Sequence, residues 1–359
     1  MYAGRSIGDT GIVEMNIAIC AVGSNSSGMG HIYRELALCE TLLTRGHAVT
    51  FITRKSTPGE TILERQLHNK PYVRILTHRD DYPTPESMRL SGADTFILDV
   101  ERGPARATLH DVKNLGAHSV VIGGVGFYLS DPSAIDELVD LQIHQSPFLS
   151  HESSMKSVFD NMYYGTEYLI LHDAFINART WLELNHYPKS DKVLVSLGGA
   201  DPHNLTKPVV TELARTFPEL TICAVYGPAV KKSNKQFYEK NISIIEAPPP
   251  EQMAQLMAQS ALVVTALGMT VYEALCVGVP VCCTAWSRDH EETAEHLLSE
   301  NVVQYLDLWN KFDTESMKSF ANGIVHGGAA QDGRIERGRE MVDGSGKERV
   351  AKLIEGLGE

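Results

Sequence analysis

Short apolar runs alternate with amphipathic stretches from residue 16 to about residue 175. The run at 17–22 has the length and composition of a buried strand, and the stretch at 31–45 that follows it has helical periodicity. That stretch places four apolar residues near one face: Ile32, Leu36, Cys39 and Leu43. Further strands are predicted at 48–53, 73–76, 95–100 and 119–122, with helices at 60–67 and 105–115. Alternation of this kind indicates a mostly parallel sheet.

The same pattern starts again in the second half of the chain. A linker is predicted at 181–191, which contains Pro188 and several polar residues. Strands are predicted after it at 192–197, 221–226, 242–246, 261–265 and 280–284, and helices at 208–216, 251–259 and 270–277. We therefore expect two α/β domains, at 15–185 and 186–345. Residues 1–14 are expected to be a poorly ordered extension, and 346–359 a helix that could pack back on the first domain.

Each half contains a glycine-rich turn between a predicted strand and a predicted helix. Gly28 and Gly30 form the first turn, and Gly198 and Gly199 the second. A strand, a tight turn and a helix together present backbone N–H groups and the positive end of the helix to phosphate. Two such turns predict a nucleotide or nucleotide-sugar held in a cleft between two Rossmann-like domains.

Composition narrows the class of ligand. The 359 residues carry a net charge of −13 and contain no long Lys/Arg cluster, which argues against nucleic acid as a partner. The six cysteines have no C-x-x-C spacing and sit mostly in apolar runs, as buried thiols in a reducing compartment do. No apolar run approaches the ~18 residues of a transmembrane helix, and residues 1–14 lack the apolar core of a signal peptide. We expect a cytoplasmic protein with no transmembrane segment.

Several motifs resemble one branch of the GT-B glycosyltransferase superfamily. They are VLVSLGGADPHNLT at 193–206, GMGHIYRELAL at 28–38, the spacing Gly165-x-x-Tyr168-x-x-Leu171, and the stretch from Gly268 to Pro280. They resemble the UDP-sugar hydrolase of pseudaminic acid biosynthesis and the spore-coat-polysaccharide-type predicted glycosyltransferases. More distantly, they resemble the N-acetylglucosaminyl transferase of peptidoglycan assembly. The resemblance implies a GT-B fold, with two Rossmann-like domains facing across a cleft, and a UDP-sugar as donor.

His31 is the candidate catalytic residue. It follows Gly30 at the predicted start of a helix, where backbone N–H groups and the helix dipole favour a neutral imidazole that can accept a proton. The resemblance implies that this histidine is the general base, which deprotonates an acceptor hydroxyl or a water. The alternative is a histidine that packs against its own turn.

The candidate donor site lies mainly in the second half. Gly198, Gly199 and the turn at Gly268, Met269 and Thr270 could offer N–H donors to a leaving diphosphate, as Gly28 and Gly30 could in the first half. The resemblance implies that Glu273 binds the ribose hydroxyls. The alternative is a glutamate that only complements the helix dipole.

Four residues are secondary candidates. Arg34 lies one turn beyond His31 and could meet a phosphate or carboxylate, or be a solvated helix residue. Asp99 ends a predicted buried strand, on the side where α/β sheets carry their sites. Asp201 could shape its turn or cap a helix, and His290 could lie near the sugar.

No metal or other cofactor is expected. The segment from Asp289 to His296 lacks the H-E-x-x-H spacing. Asp80 and Asp81 lie in a predicted polar loop without metal-site spacing, and relatives by resemblance generally need no metal. Neither glycine turn is followed by the lysine of an ATPase phosphate loop.

The leading hypothesis is an enzyme that passes the glycosyl group of a UDP-sugar to an acceptor hydroxyl. The runner-up is a UDP-sugar hydrolase, with water as acceptor, because both reactions need the same donor site and the same base. A third hypothesis is a sugar-nucleotide-binding subunit without activity of its own. The sequence leaves the sugar and the acceptor open.

Overall fold

A computed structural model describes most of the chain. The described residues are 15–24, 29–80, 83–100, 104–123, 137–145, 161–185, 190–199, 201–227, 230, 237, 239–326 and 332–358, without the side chains of Asp289 and Asp332. They form two compact units. Unit 1 is drawn from Met1–Gln145, Leu149–Ile170 and Ser345–Glu359, and unit 2 from Leu171–Gly344.

The described strands of unit 1 form one parallel sheet in the order β3-β2-β1-β4-β5-β6-β7. The strands are β1 (Asn16–Ala21), β2 (Ala48–Arg54), β3 (Val73–His78), β4 (Thr95–Asp99), β5 (His118–Ile122), β6 (Leu141–His144) and β7 (Met162–Tyr164). The helices described between them are α1 (Gly30–Thr44), α2 (Pro58–Leu67), α3 (Pro85–Ser91) and α4 (Arg106–Asn114), and a 3-10 helix spans Thr166–Tyr168.

Helices cover both faces of this sheet, which is why its central strands are apolar throughout. Ile17 and Ile19 of β1 pack in one core with α1, whereas Ala18 and Cys20 face a second core that includes residues of α3 and α4. Because both faces of the sheet are buried, these strands do not alternate polar and apolar residues. They therefore appear in the sequence as continuous apolar runs.

Unit 2 repeats this construction. Its described strands form a parallel sheet in the order β10-β9-β8-β11-β12-β13. They are β8 (Lys192–Ser196), β9 (Thr221–Tyr226), β10 (Ile242–Glu246), β11 (Leu262–Ala266), β12 (Val281–Ala285) and β13 (Gln304–Leu308). The helices are α5 (Asp173–Leu184), α6 (Thr206–Thr216), α7 (Pro250–Ala258), α8 (Met269–Val277), α9 (Arg288–Ser299), α10 (Thr314–His326) and α11 (Asp332–Met341), with a 3-10 helix at Trp309–Lys311.

The division between the units differs from the sequence-based bounds of 15–185 and 186–345. Unit 2 begins at Leu171, before α5, because α5 packs on α7 and α8 of unit 2. The last helix, α12 (Gly346–Glu355), belongs to unit 1. Its residues Val350, Ala351 and Ile354 are fully buried in the core that contains α1.

Both sheets reverse their strand order at one place, and this positions the candidate site. In unit 1 the chain moves outward from β1 in one direction through β2 and β3, and in the other direction from β4. Unit 2 does the same at β8 and β11. Ligands of open α/β sheets bind outside the carboxyl ends of the strands at such a switch point.

Candidate functional site

His31 and Asp99 meet at the switch point of unit 1. Asp99 is the last residue of β4, and it pairs in register with Ala21, the last residue of β1. α1 is the next described helix after β1 and begins at Gly30, so His31 lies in its first turn. The carboxyl ends of the two neighbouring strands therefore deliver a histidine and an aspartate to one place.

The imidazole of His31 is hydrogen-bonded to the Asp99 carboxylate. Nδ1 of His31 lies 2.7 Å from Oδ1 of Asp99. Asp99 is fully buried, whereas the His31 side chain keeps 19% of its surface exposed. Donation of the Nδ1 proton to the carboxylate leaves Nε2 without a proton, and Nε2 is then the atom that can accept one.

Arg34 fixes the charge of Asp99. Its Nε donates to Oδ2 of Asp99 at 2.7 Å, and its Nη2 donates to Oδ1. Burial alone would raise the pKa of Asp99, but the charge of Arg34, helped by His31, outweighs burial and holds that pKa well below its usual range. Nη2 also lies 3.0 Å from Nδ1 of His31. Since Nδ1 cannot both donate to Asp99 and accept from Arg34, the ionised carboxylate and its shorter contact favour the tautomer with the proton on Nδ1.

Gly123, which sequence reasoning did not select, covers this cluster. It follows β5 with a φ of +82°, and a Cβ atom there would lie 3.2 Å from Nη2 of Arg34 and 3.8 Å from Oδ1 of Asp99. Glycine therefore serves both the backbone conformation and the close approach of the guanidinium. Its signal in the sequence was its place directly after a predicted buried strand.

The other first-half glycines are only partly described. Gly28 lies outside the described residues. Gly30 is the first residue of α1, whose N-cap, Met29, makes no side-chain hydrogen bond to the helix; the first turn contains no acidic residue. The N-cap side chain therefore does not satisfy the N–H groups of this turn.

The predicted donor-site glycines lie together at the switch point of unit 2. Gly198 and Gly199 follow β8, and Gly268 follows the neighbouring strand β11. Gly198 has a φ of +82°, and a Cβ atom at Gly198 or Gly268 would meet nothing within 4 Å. Open space therefore adjoins the backbone at both turns.

The start of α8 has the features of an anion-binding helix end. Its N-cap is Gly268, so no N-cap side chain accepts hydrogen bonds from the first turn. The helix begins with Met269 and Thr270, and its first turn contains no acidic residue. Glu273 lies one turn further on. Burial raises the pKa of Glu273 to about 7, and its hydrogen bond with Thr270 only partly opposes that rise. The side chain is still partly accessible to solvent.

Asp201 and His290 have local structural contacts. The Asp201 carboxylate accepts the backbone N–H groups of Leu205 at 2.9 Å and Thr206 at 3.0 Å, which caps the start of α6. Of the two structural roles that the sequence suggested for Asp201, these hydrogen bonds correspond to capping a helix. His290 lies in the first turn of α9, where its backbone N–H donates to the hydroxyl of Ser287 at 3.4 Å.

A ring cluster at the carboxyl edge of the unit 2 sheet was missed by sequence reasoning. His203 stacks on Trp309, with 3.6 Å between the ring centroids and 3° between the ring planes. The ring centroid of Trp286 lies 5.3 Å from that of His203, with an angle of 45° between the two ring planes. Each follows the end of a strand, but the three are too far apart in the chain for a spacing to reveal them.

Within the described residues, no group of three or more His, Cys, Asp and Glu side chains is arranged to hold a metal ion. Searched over the same residues, no helix has the length and apolar character that crossing a membrane requires. All six cysteines are buried and free.

Comparison with solved structures identifies the architecture. A structure described as the glycotransferase of kitacinnamycin matches with a TM-score of 0.64 and 17% identity, over 96% of this chain and 99% of that one. Phytolacca americana UGT2, complexed with UDP-2-fluoroglucose and pterostilbene, matches with a TM-score of 0.64 and 11% identity, over 96% and 100%. The fold is that of the GT-B glycosyltransferases. The prediction of two Rossmann-like α/β domains is confirmed.

Comparison with curated proteins gives distant relatives of this chain. The spore coat polysaccharide biosynthesis protein SpsG of Bacillus subtilis is 26% identical over 352 residues, which cover 96% of this chain and 98% of SpsG. An uncharacterized protein of Methanocaldococcus jannaschii is 27% identical over 282 residues, which cover 74% of this chain and only 55% of that protein. No protein-family model matches the chain. The expected resemblance to a spore coat polysaccharide protein is confirmed by the match to SpsG.

Proposed function

We propose that this protein is a glycosyltransferase that passes the glycosyl group of a UDP-sugar to an acceptor hydroxyl, with His31 as general base. The observation that carries the proposal is the 2.7 Å contact between His31 Nδ1 and the buried Asp99 carboxylate. It leaves Nε2 free to accept a proton at the edge of the sheet where α/β folds bind ligands.

In the proposed reaction, Nε2 of His31 removes the proton from the acceptor hydroxyl. The acceptor oxygen then forms a bond to the anomeric carbon, and the bond from that carbon to the diphosphate oxygen breaks. UDP leaves with the electron pair, and the proton stays on Nε2. Asp99 stabilises the imidazolium that forms, because it is ionised and lies against Nδ1.

The proposed donor site is the switch point of unit 2. The backbone N–H groups at Gly198 and Gly199 and at the start of α8 are suited to the negative charge that grows on the leaving diphosphate. Glu273 would accept hydrogen bonds from the ribose hydroxyls. Support for UDP comes from the UDP-2-fluoroglucose bound by the Phytolacca enzyme, which has the same fold. Because backbone donors take the charge, the proposal includes no metal.

The test is release of UDP from a panel of UDP-sugars, measured first without acceptor and then with carbohydrate acceptors. Release from one donor that depends on an added acceptor supports transfer. Rapid release without any acceptor makes water the acceptor and the protein a hydrolase, which retains the base and the donor site. Absence of UDP binding by calorimetry, together with absence of release, overturns the proposal.

A further inference from the structure

The ring cluster of His203, Trp286 and Trp309 lies at the carboxyl edge of the unit 2 sheet, and the proposed reaction does not use it. His203 lies in the segment between β8 and α6, Trp286 directly follows β12, and Trp309 directly follows β13. The rings of His203 and Trp309 are stacked, and the ring of Trp286 is tilted against His203. All three residues are partly buried, so each keeps some surface accessible to solvent.

Packing of the hydrophobic core explains only one of the two tryptophans. Trp286 packs against the buried residues of the core that contains α6 and α10, whereas Trp309 is not among the described residues that pack there. The ring contact of Trp309 is its stack on His203. Aromatic side chains stabilise a fold mainly by burying a large area. A tryptophan that stays outside the core, at the edge where α/β sheets bind ligands, is suited to contact a ligand.

Backbone conformation and a hydrogen bond hold the rings in place. Asn204, next to His203, has a φ of +55°. Asp307, two residues before Trp309, has a φ of +65°. Residues other than glycine seldom adopt this left-handed region, and such residues cluster at ligand-binding segments. The hydroxyl of Thr284 donates to the carbonyl of Asp307 at 2.8 Å, which ties β12 to the segment that carries Trp309. The rings are therefore preorganised for a ligand.

His203 lies close to the glycine turn that is proposed to bind the diphosphate. It is four residues after Gly199, so the two Cα atoms are at most about 14 Å apart. The backbone N–H of Asn204 donates to the carbonyl of Asp201 at 3.0 Å. The segment therefore turns back on itself, and His203 lies nearer to the glycine turn than that limit. A group bonded to the diphosphate at this turn is thus close to the ring cluster.

The two faces of the unit 2 sheet separate the proposed ribose site from the ring cluster. Glu273, which is proposed to bind the ribose, belongs to α8, and α8 packs on α5, α7 and α11. The buried residues of α8 are not part of the core against which Trp286 packs. Ribose and sugar are bonded to opposite ends of the diphosphate. With the ribose on the face covered by α8, the sugar extends toward the face that carries the ring cluster.

The chemistry of the rings suits a pyranose. The face of an aromatic ring carries negative partial charge, which attracts the polarised C–H groups on one face of a sugar ring, and the contact also removes apolar surface from water. Binding sites combine such surfaces with a few polar groups that fix orientation. Ser287 and Arg288 directly follow Trp286, and both are exposed. They offer a hydroxyl and a guanidinium to the sugar hydroxyls.

We propose that the ring cluster is the subsite for the sugar of the donor, and that it binds the C–H face of the pyranose ring. The inference rests on the proposed function, because the diphosphate at the glycine turn brings the sugar to the rings. The rings bind and orient the sugar and exchange no proton with it.

Two ligands of equal charge isolate the contribution of the sugar ring. The first is a set of C-glycosidic analogues of UDP-glucose, UDP-galactose and UDP-N-acetylglucosamine, in which a methylene group replaces the anomeric oxygen and prevents cleavage. The second is UDP methyl ester, which is esterified on its terminal phosphate and has no sugar ring. Calorimetry measures the affinity of each ligand for wild type and variants.

Trp309→Leu removes the ring and keeps an apolar side chain. We expect the affinity for the C-glycosidic analogues to fall by about 2- to 10-fold, the scale of one aromatic contact, and the affinity for UDP methyl ester to stay unchanged. Trp309→Phe keeps an aromatic face and should retain most of the affinity. Trp181→Leu is the matched control, because Trp181 belongs to the same unit but lies on α5 and is 46% exposed. It should change neither affinity.

Fluorescence provides a second measurement that leaves the ring cluster intact. The chain contains three tryptophans, so Trp181→Phe leaves Trp286 and Trp309 as the emitting ones. We expect the C-glycosidic analogues to change this emission more than UDP methyl ester does. This measurement decides the matter if circular dichroism shows that Trp309→Leu does not fold.

An equal loss of affinity for both kinds of ligand in Trp309→Leu would overturn the inference, because the rings would then support the glycine turn or the nucleobase. It is also overturned if Trp309→Leu weakens neither, if both ligands change the emission equally, or if wild type binds UDP methyl ester but none of the analogues. If wild type binds neither UDP nor its methyl ester, the proposed function fails and this inference fails with it.

Discussion

His31 and Asp99 are 68 positions apart in the chain, and their side chains lie 2.7 Å apart at the carboxyl ends of neighbouring strands. The contact depends on strand order, because β4 pairs with β1 across the switch point of the sheet. Arg34 adds two hydrogen bonds to the same carboxylate. The proposed base, the carboxylate bonded to it and a cation that keeps this carboxylate ionised thus form one cluster.

Asp99→Asn tests the orienting role. The amide presents its oxygen or its NH₂ group to Nδ1, so the tautomer with the proton on Nδ1 is no longer enforced and the charge that stabilises imidazolium is lost. We expect kcat to fall by about 10³- to 10⁴-fold, with little change in UDP affinity. Steady-state kinetics and calorimetry with UDP measure the two effects. An unchanged kcat would remove Asp99 from the proposed mechanism.

Gly123→Ala tests the close approach of glycine to Arg34. The added methyl group would lie 3.2 Å from Nη2 of Arg34 at a backbone conformation that disfavours alanine. We expect a loss of about 1–3 kcal/mol in the free energy of unfolding, together with lower kcat.

Gly116→Ala is the control for this substitution. Gly116 also has a positive φ, +70°, but a Cβ atom there would meet nothing within 4 Å. It should lower stability through backbone strain and leave kcat unchanged. Equal loss of kcat in both variants would show that strain alone, and not the contact with Arg34, is responsible.

The raised pKa of Glu273 leads us to expect that donor binding depends on pH. Its pKa is raised to about 7 by burial, so the carboxylate that would accept the ribose hydroxyls is only half formed near neutral pH. Affinity for a non-hydrolysable UDP-sugar analogue should rise as the pH increases through 7. Such an analogue is esterified at both phosphates, so its own ionisation does not change in this range.

Glu273→Gln should remove this pH dependence. Glu273→Ala should weaken binding by roughly 1–3 kcal/mol, the scale of hydrogen bonds to a charged group. Calorimetry between pH 6 and pH 8 measures both. A slope that persists in Glu273→Gln would assign the titration to another group and exclude Glu273 from the donor site.

The contacts of Glu355 lead us to expect that the stability of unit 1 depends on pH. Arg45 donates to both of its oxygens, at 2.7 and 2.6 Å, and His47 Nε2 lies 3.0 Å away. Hydrogen bonds from Arg45, and then His47, hold the pKa of Glu355 below its usual value although burial opposes them. A depressed carboxyl pKa contributes stability above its unfolded value, and that stability is lost as the pH falls through the folded value.

Glu355→Gln should therefore be less stable than wild type at pH 7, by about 1–2 kcal/mol or less, and the difference should shrink in acid. Urea unfolding at both pH values measures it. Glu348→Gln is the control, because Glu348 is more exposed and contacts Arg45 at 3.3 Å through one nitrogen. A difference for Glu355→Gln that stays constant with pH would contradict the assignment.

The sequence predicted much of the fold because both units use strands that are buried on two faces. Their apolar runs and the glycine turns after β1, β8 and β11 are local signals. His31 could be selected because it follows such a turn, and Asp99 because it ends a strand. Their contact could not be derived, since it depends on which strands are neighbours.

Other features were hidden because their chemistry depends on packing. Glu35 follows Arg34 in the amphipathic helix α1, and only its complete burial distinguishes it from a solvated glutamate. Arg34 was left between a ligand contact and a solvated residue, and the structure places it on Asp99. The sequence-based bounds put α5 in the first domain, and only its contacts with α7 and α8 assign it to unit 2.

The most direct test of the proposed function is the turnover of His31→Gln with the UDP-sugar that the wild-type protein uses. The account predicts that kcat falls by about 10²- to 10⁴-fold, the scale of general base catalysis. UDP affinity, measured by calorimetry, should change by about twofold or less, which is a smaller change in free energy than the loss of one hydrogen bond causes. Unchanged turnover would show that His31 is not the base. An equal loss of turnover and UDP affinity would show that His31 supports the structure of the site instead.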